Sequence, residues 1–321
     1  MRQTQTTVIE SESFCMSTEI TYKVFGENAA SAVAEAEAAL LRLENILSRF
    51  IPDSEVSMIN QNAGKEYVDV SSETFEVLSC ASRLSEISGG LFDITVGPLI
   101  DLWNYKHSFQ VPEDEKIQHA LSLVNYHDLM LNPDEQSAGL RRSEQSIDLG
   151  GIGKGYISDC LVKTLQKYGV VSAFVNIGGN VSTLGNKPDG SSWSVGIRHP
   201  RHDGCLIGAV KVTGQAVVTS GDYERYFIDD TGKRRHHIIN PTTGYPVESG
   251  LISVTVVADS AMIADGLSTA IFASGMDKGL GYLTHFPGVD VVLVDNRQRV
   301  FITRGLKDIY QTVEGIDVIV I

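Results

Sequence analysis

The chain predicts an α+β fold, on three observations. Val33, Ala36, Leu40, Leu43 and Leu47 recur at three- and four-residue steps, so residues 29–48 read as a helix with one apolar face. Runs at 18–25, 171–177, 193–198 and 215–219 read as strands bounded by turn residues. After a helical pattern over 261–273, strands return at 289–295, 300–303 and 315–321. No repeat or low-complexity linker divides the chain. The expected organisation is a flexible segment over residues 1–17 and one domain over 18–321.

Each element has its local signal. A second helix over 72–88 stops at Gly89 and Gly90. The intervening SRFIPDSEVSMINQNAG predicts an irregular loop with Pro52, Asp53 and Gly64 as turn residues, and Arg49 and Asn60 near its ends as solvated polar groups. Residues 106–145 are more polar and read as an insertion with one helix near 113–124 and a hairpin at Asn132-Pro133-Asp134. Asp259 or Ser260 can cap the helix over 261–273.

Composition narrows the function classes. The chain has 321 residues, 42% hydrophobic and 21% charged, as a globular protein does. A net charge of −14 argues against broad nucleic-acid binding, which needs a basic surface. It leaves room for a phosphate ligand where a local cation or metal overrules the average. Cys15, Cys80, Cys160 and Cys205 are widely spaced, with neither a zinc-ribbon nor a redox pattern. No run of about 18 apolar residues is present, and the N-terminus lacks the apolar core of a secretory signal. A cytoplasmic location is the expectation.

Chemistry concentrates in four stretches. IDLGGIGKGYISD places Gly150, Gly151, Gly153 and Gly155 around Lys154, before a helical pattern that runs to Tyr168. Glycines allow close backbone approach, and a helix N-terminus favours an anion. The spacing matches neither a P-loop, since Gly155 follows Lys154, nor a dinucleotide fingerprint, since position 156 is Tyr156. A plain strand–turn–helix connection explains the stretch equally well. In GGLFDITVGP, Phe92 could stack and Asp93 could accept a hydrogen bond, or Asp93 could simply cap a buried turn. In RRHHIINPTTGYP, His237 is a candidate acid–base group. His236 and His237 are adjacent on an extended chain and so point to opposite faces. Asp265 and Thr269 lie one helical turn apart and offer two hard oxygen ligands of the kind Mg²⁺ takes; a local Asp–Thr contact on a polar helix face is the simpler alternative.

In order along the chain, SRF with S-x-x-N, GLFDITVGPL, DLGGIGKGY, NIGGN, TSGDYER, HIINPTTGYP and ADGLSTA resemble the ApbE family of FAD:protein FMN transferases. The resemblance spans residues 18–303. It implies a T-fold-related architecture of largely antiparallel strands with helices packed around them. It also implies transfer of FMN from FAD to a Thr or Ser hydroxyl of an acceptor flavoprotein, with Mg²⁺ as cofactor and AMP released. On this pattern Asp265, Thr269 and the Gly153 carbonyl match the metal ligands. Lys154 and Tyr156 match the flavin-nucleotide pocket, and Asp93 the adenine side. His237 matches the base toward the attacking hydroxyl, and Asn60, Gly178, Arg198 and Ser220 the pocket wall. Two departures stand out: many members are exported and lipid-anchored, whereas no leader is seen here, and Asn240-Pro241 replaces the frequent Asp-Pro. An FAD pyrophosphatase on the same scaffold and a flavin-binding protein without turnover are the alternatives.

Overall fold

The computed structural model describes residues 7–105 and 107–321. In chain order it places β1 (Val8–Cys15), β2 (Thr18–Phe25), α1 (Ala29–Leu47), α2 (Glu55–Gln61), β3 (Val68–Asp69), α3 (Ser72–Ser88), α4 (Gly97–Trp103), α5 (Asp114–Ser122), β4 (Leu129–Asn132) and β5 (Ser137–Leu140). Then come α6 (Gly153–Lys167), β6 (Ser172–Ile177), β7 (Asn180–Leu184), β8 (Trp193–Arg198), β9 (Leu206–Val212), β10 (Ala216–Gly221), β11 (Tyr226–Ile228) and β12 (Arg234–His236). The rest is β13 (Leu251–Ala258), α7 (Ala261–Ser274), α8 (Met276–Tyr282), β14 (Asp290–Asp295), β15 (Val300–Ile302), β16 (Tyr310–Thr312) and β17 (Val318–Val320).

Among these residues a nine-stranded sheet runs β1-β2-β6-β7-β10-β13-β14-β15-β17. Its neighbours pair antiparallel except β15 and β17, which run parallel. Strand alternation gives the sheet two apolar faces. Ala216, Val218, Val254 and Val256 face one core, shared with Leu161 and Leu165 of α6 and Leu267 and Ile271 of α7. Val181, Val217, Val257 and Val292 face the other, shared with Trp193, Val195 and Val210 of the β16-β9-β8 sheet. The mixed α+β class, with mostly antiparallel strands and helices packed on them, is the one the sequence predicts.

Two expectations need correction. Residues 8–15 are not a flexible segment: they form β1, paired along its length with β2. The strand has little apolar signal because it is an edge strand, and its side chains stay exposed or half-buried up to Cys15. The expectation for residues 1–6 lies outside the described residues. Nor is 48–64 wholly irregular. Ser54 accepts a hydrogen bond from Ser57 N and starts α2, a helix of seven residues, too short for a visible period. The helices over 72–88 and 261–273 stand where expected, the first stopped by Gly89 in the left-handed region.

A smaller apolar cluster positions the histidine loop. Leu99 and Trp103 of α4 and Ile117 of α5 pack with Phe227 and Ile239. Trp103 is fully buried and donates through Nε1 to Gly244 O at 2.8 Å. Among the described residues no helix is long and apolar enough to cross a membrane.

Candidate active site

The glycine stretch and the Asp–Thr helix meet in space. Gly155 N donates to Asp265 Oδ2 at 2.9 Å. A Cβ built on Gly155 would lie 2.2 Å from Ala261 O and 2.7 Å from Asp265 Cβ, so only glycine lets α6 and α7 cross this closely. A Cβ on Gly151 would lie 3.3 Å from both Thr269 Oγ1 and Phe92 Cε2. Ser220, at the end of β10, bonds Ser268 at 2.8 Å and Thr269 at 3.2 Å through its hydroxyl. Asp265, Thr269, Ser220 and the 151–155 turn therefore form one polar centre, where α6 starts against the middle of α7 and the end of β10.

The start of α7 is anchored on the middle of α6. Asp159 of α6 accepts from Ser260 Oγ at 2.6 Å, Ala261 N at 2.7 Å and Met262 N at 3.1 Å. Ser260 in turn accepts from Ile263 N, so the cap of α7 is Ser260 rather than Asp259. The loop before α6 is held by Asp148, whose Oδ1 accepts from Gly150 N at 2.7 Å and whose Oδ2 accepts from Arg49 at 3.1 Å. Arg49 also pairs with Asp101 at 2.5 Å, and its side chain is largely buried rather than solvated. Asn60 is likewise not free. Its amide donates to Ile147 O at 3.1 Å and accepts from Ile147 N at 2.7 Å, clamping the backbone that enters the loop.

The histidines divide as adjacent residues on a strand should. His236 is buried, with Nε2 against Val247 O at 2.9 Å, Nδ1 accepting from Ile238 N at 3.3 Å, and its ring edge-on to Phe272. Those partners assign the Nε2–H tautomer. His237 is half-buried, and both its backbone N and its Nδ1 reach Arg225 O, at 3.0 and 3.3 Å. The Arg225 carbonyl assigns the proton to Nδ1 and leaves the Nε2 lone pair free. Desolvation first, then the charges of Arg225, His236 and Lys154, hold the His237 imidazolium well below the ordinary histidine range. His237 is therefore neutral, with Nε2 as its proton-accepting atom. Lys154, which bonds Gly150 O at 3.1 Å, belongs to the same neighbourhood.

The remaining predicted residues brace the fold. Tyr156 is buried and its hydroxyl donates to Glu76 Oε2 at 3.2 Å, tying α6 to α3. Asp93 is buried and accepts from Thr95 N and Oγ1, each at 2.7 Å. Burial outweighs those bonds and pushes its carboxyl up to about 6. Gly178 turns β6 into β7 at φ +56°, and a Cβ there would lie 2.2 Å from Thr18 Oγ1. Arg198 pairs with Glu224 and lies over the Tyr223 ring, 5.9 Å from its centroid. Asn240 Oδ1 accepts from Thr242 N and Oγ1, each at 2.8 Å, a turn an Asp would make equally well. Two surface clefts lie apart from this centre. One, on α4 and α5, is almost wholly carbon-lined; the other lies among Arg235, Asn240, Tyr245 and Ser274. Neither includes Asp265, Thr269 or the 151–155 turn.

A single carboxylate, a hydroxyl and a backbone carbonyl are a sparse set. Among the described residues no group of three or more His, Cys, Asp or Glu gathers to hold a metal. Such a set suits Mg²⁺, which keeps waters and takes further oxygens from phosphate, and does not suit zinc.

Fold and site define a class: α+β proteins in which a glycine turn packs against a helix that carries a carboxylate and a hydroxyl one turn apart. Comparison then gives the family. Residues 16–293 match the model of the ApbE family, and the chain belongs to that family. It is 36% identical over 264 residues to the FAD:protein FMN transferase of Klebsiella pneumoniae (strain 342), covering 82% of this chain and 81% of that one. It is 34% identical over 295 residues to the enzyme of the same name from Treponema pallidum (strain Nichols), covering 87% and 81%. The crystal structure of the ApbE protein from Thermotoga maritima superposes with a TM-score of 0.86 at 32% identity, over 94% of this chain and 99% of that one. The flavin transferase ApbE from Vibrio cholerae superposes at 0.85 and 27% identity, over 95% and 99%.

Proposed function

We propose that the chain is an FAD:protein FMN transferase that moves FMN from FAD onto a Thr or Ser hydroxyl of an acceptor flavoprotein and releases AMP. The observation that carries this reading is the meeting of the 151–155 turn with Asp265 and Thr269, in a chain whose relatives bear that name. Asp265, Thr269 and the Gly153 carbonyl would hold Mg²⁺, which when bound offsets charge on the diphosphate.

The chain's own groups have defined tasks. Lys154 places a cation beside the diphosphate. His237 takes the proton of the acceptor hydroxyl at Nε2, while Arg225 O keeps the Nδ1 proton in place. The hydroxyl oxygen bonds to the phosphorus of the FMN half. The bond from that phosphorus to the bridging oxygen breaks, and AMP leaves with that oxygen. Water in place of the hydroxyl gives FMN and AMP, the pyrophosphatase alternative.

The test mixes the protein with FAD, Mg²⁺ and an acceptor flavoprotein. Flavin fluorescence that migrates with the acceptor on a denaturing gel, and is lost with a chelator, is the expected result. Free FMN and AMP with an unlabelled acceptor would leave the hydrolase reading in its place. Bound FAD that is never turned over would leave a binding protein.

A further inference from the structure

Asn180 closes the NIGGN stretch, directly after the Gly178–Gly179 turn, and no role above uses it. Its side chain is 3% exposed, and its Nδ2 is a buried donor with no hydrogen-bond partner. Buried amide groups are almost always satisfied, so this one calls for an acceptor that the ligand-free chain does not supply.

The register fixes the side of the sheet from which the amide projects. Ser182, two residues along β7, bonds Ser158 of α6 at 2.7 Å. Side chains two apart on a strand share a face, so Asn180 projects toward the same helical layer. β7 pairs with β10 through Ser182↔Ala216 and Val181↔Val217. Continuing that register sets Asn180 level with Val218, two residues before Ser220. Ser220 is the residue that bonds Thr269. Asn180 thus lies beneath the start of α6, between the Ser158 contact and the Ser220–Thr269 contact. The other unpartnered groups lack this placement: Ser13 and Tyr22 belong to β1 and β2, Ser172 to the opposite end of β6, Tyr105 and Ser137 lie outside the nine-stranded sheet, and Ser253 alternates with Val254 onto the sheet's other face.

We propose that Asn180 is a binding residue on the floor of the active site, its Nδ2 donating to an acceptor oxygen of bound FAD. The proposal rests on the FAD reading above. A neutral amide suits the position. It adds no charge to a centre that already holds Asp265 and Lys154, and it remains a donor at every working pH.

The experiment measures FAD dissociation constants by calorimetry for the wild type, Asn180→Ala and Asn180→Asp, together with ligand-free melting temperatures. Asn180→Ala is expected to bind FAD about 5- to 150-fold more weakly, the range for a lost buried hydrogen bond. Its ligand-free melting temperature should hold or rise, since the substitution deletes an unmet donor. Asn180→Asp should bind more weakly still, because a carboxylate offers no donor and repels phosphate. Repeating the titrations with FMN and with ADP identifies the half that Asn180 touches, as the half whose affinity falls. Unchanged FAD affinity in Asn180→Ala overturns the proposal. So does weaker binding accompanied by an equal loss of ligand-free stability, which would make Asn180 a scaffold residue. A wild type that binds no FAD overturns the FAD reading itself, a separate result.

Discussion

Gly155 and Asp265 are joined across 110 residues of sequence by one hydrogen bond, backbone N–H to carboxylate, at 2.9 Å. The same carboxylate is the one charged group in the proposed metal set. Structure and chemistry therefore meet in a single side chain, and its removal has two separable effects.

Asp265→Ala is expected to lower turnover by about 10³-fold or more, the loss of several kcal/mol of charge stabilisation. It should also cost about 1–3 kcal/mol of stability, since Gly155 N–H loses its buried acceptor. AMP release and urea unfolding read the two effects. Near-normal turnover would refute the metal assignment.

Gly155→Ala tests the helix crossing alone. The added Cβ would meet the Ala261 backbone, which Asp159 holds in place, so no flexible side chain can give way. Destabilisation of about 1–3 kcal/mol is expected by urea unfolding. A midpoint equal to the wild type would show that the helices separate more readily than this contact allows.

His237 predicts an acid-side shift in the pH profile. Its folded pKa is depressed, so the folded chain binds fewer protons than the unfolded chain below about 6.5. Activity that needs the neutral imidazole should persist below the ordinary histidine range, with the acid limb of kcat/KM under pH 6.5. The stability term has the matching sign: nothing is lost above pH 6.5, and stability declines as pH falls from there toward the folded pKa. His237→Ala should lower turnover more than FAD affinity. A loss of FAD binding as large as the loss of rate would make the ring a pocket wall instead.

Asp93 gives the opposite sign. Its folded pKa is raised from 3.8 to about 6, so above pH 6 the buried charge costs stability, and the cost is relieved as pH falls through 6 toward 3.8. Asp93→Asn keeps an acceptor for Thr95 and removes the charge. It should stabilise the protein by about 1–3 kcal/mol at pH 7.5 and by little near pH 4, judged by unfolding at both values. Equal effects at the two pH values would show that the charge is not the cause.

The sequence carried the local parts of this architecture and little of its assembly. Helix α1 announces itself because seven buried residues fall on one face of a long run. Helix α2 does not, since seven residues hold under two turns. The Asp265–Thr269 pairing is legible as a one-turn spacing. That Gly151 and Gly155 pack on it is not, because the contact spans more than 100 residues and leaves no periodic trace. Asn60 and Arg49 look like solvated groups in isolation and become braces only once Ile147 and Asp148 lie beside them. Asp159, whose three bonds begin α7, gives no signal at all from within its own helix.

β13 is buried at every residue and lies inside the nine-stranded sheet, between β10 and β14, with α7 across its face. Its amides should exchange with deuterium only when the whole chain opens. Ser220 and Thr269 sit on elements welded to that slow-exchanging block, so the oxygens they offer are held in place before any ligand arrives. The β11–β12 ribbon, which among the described residues pairs only with itself and bears the exposed Tyr226 and Ile228, should exchange far sooner. His237 follows directly from that ribbon, so the proposed proton acceptor sits on the earlier-exchanging element and the proposed phosphate site on the later one.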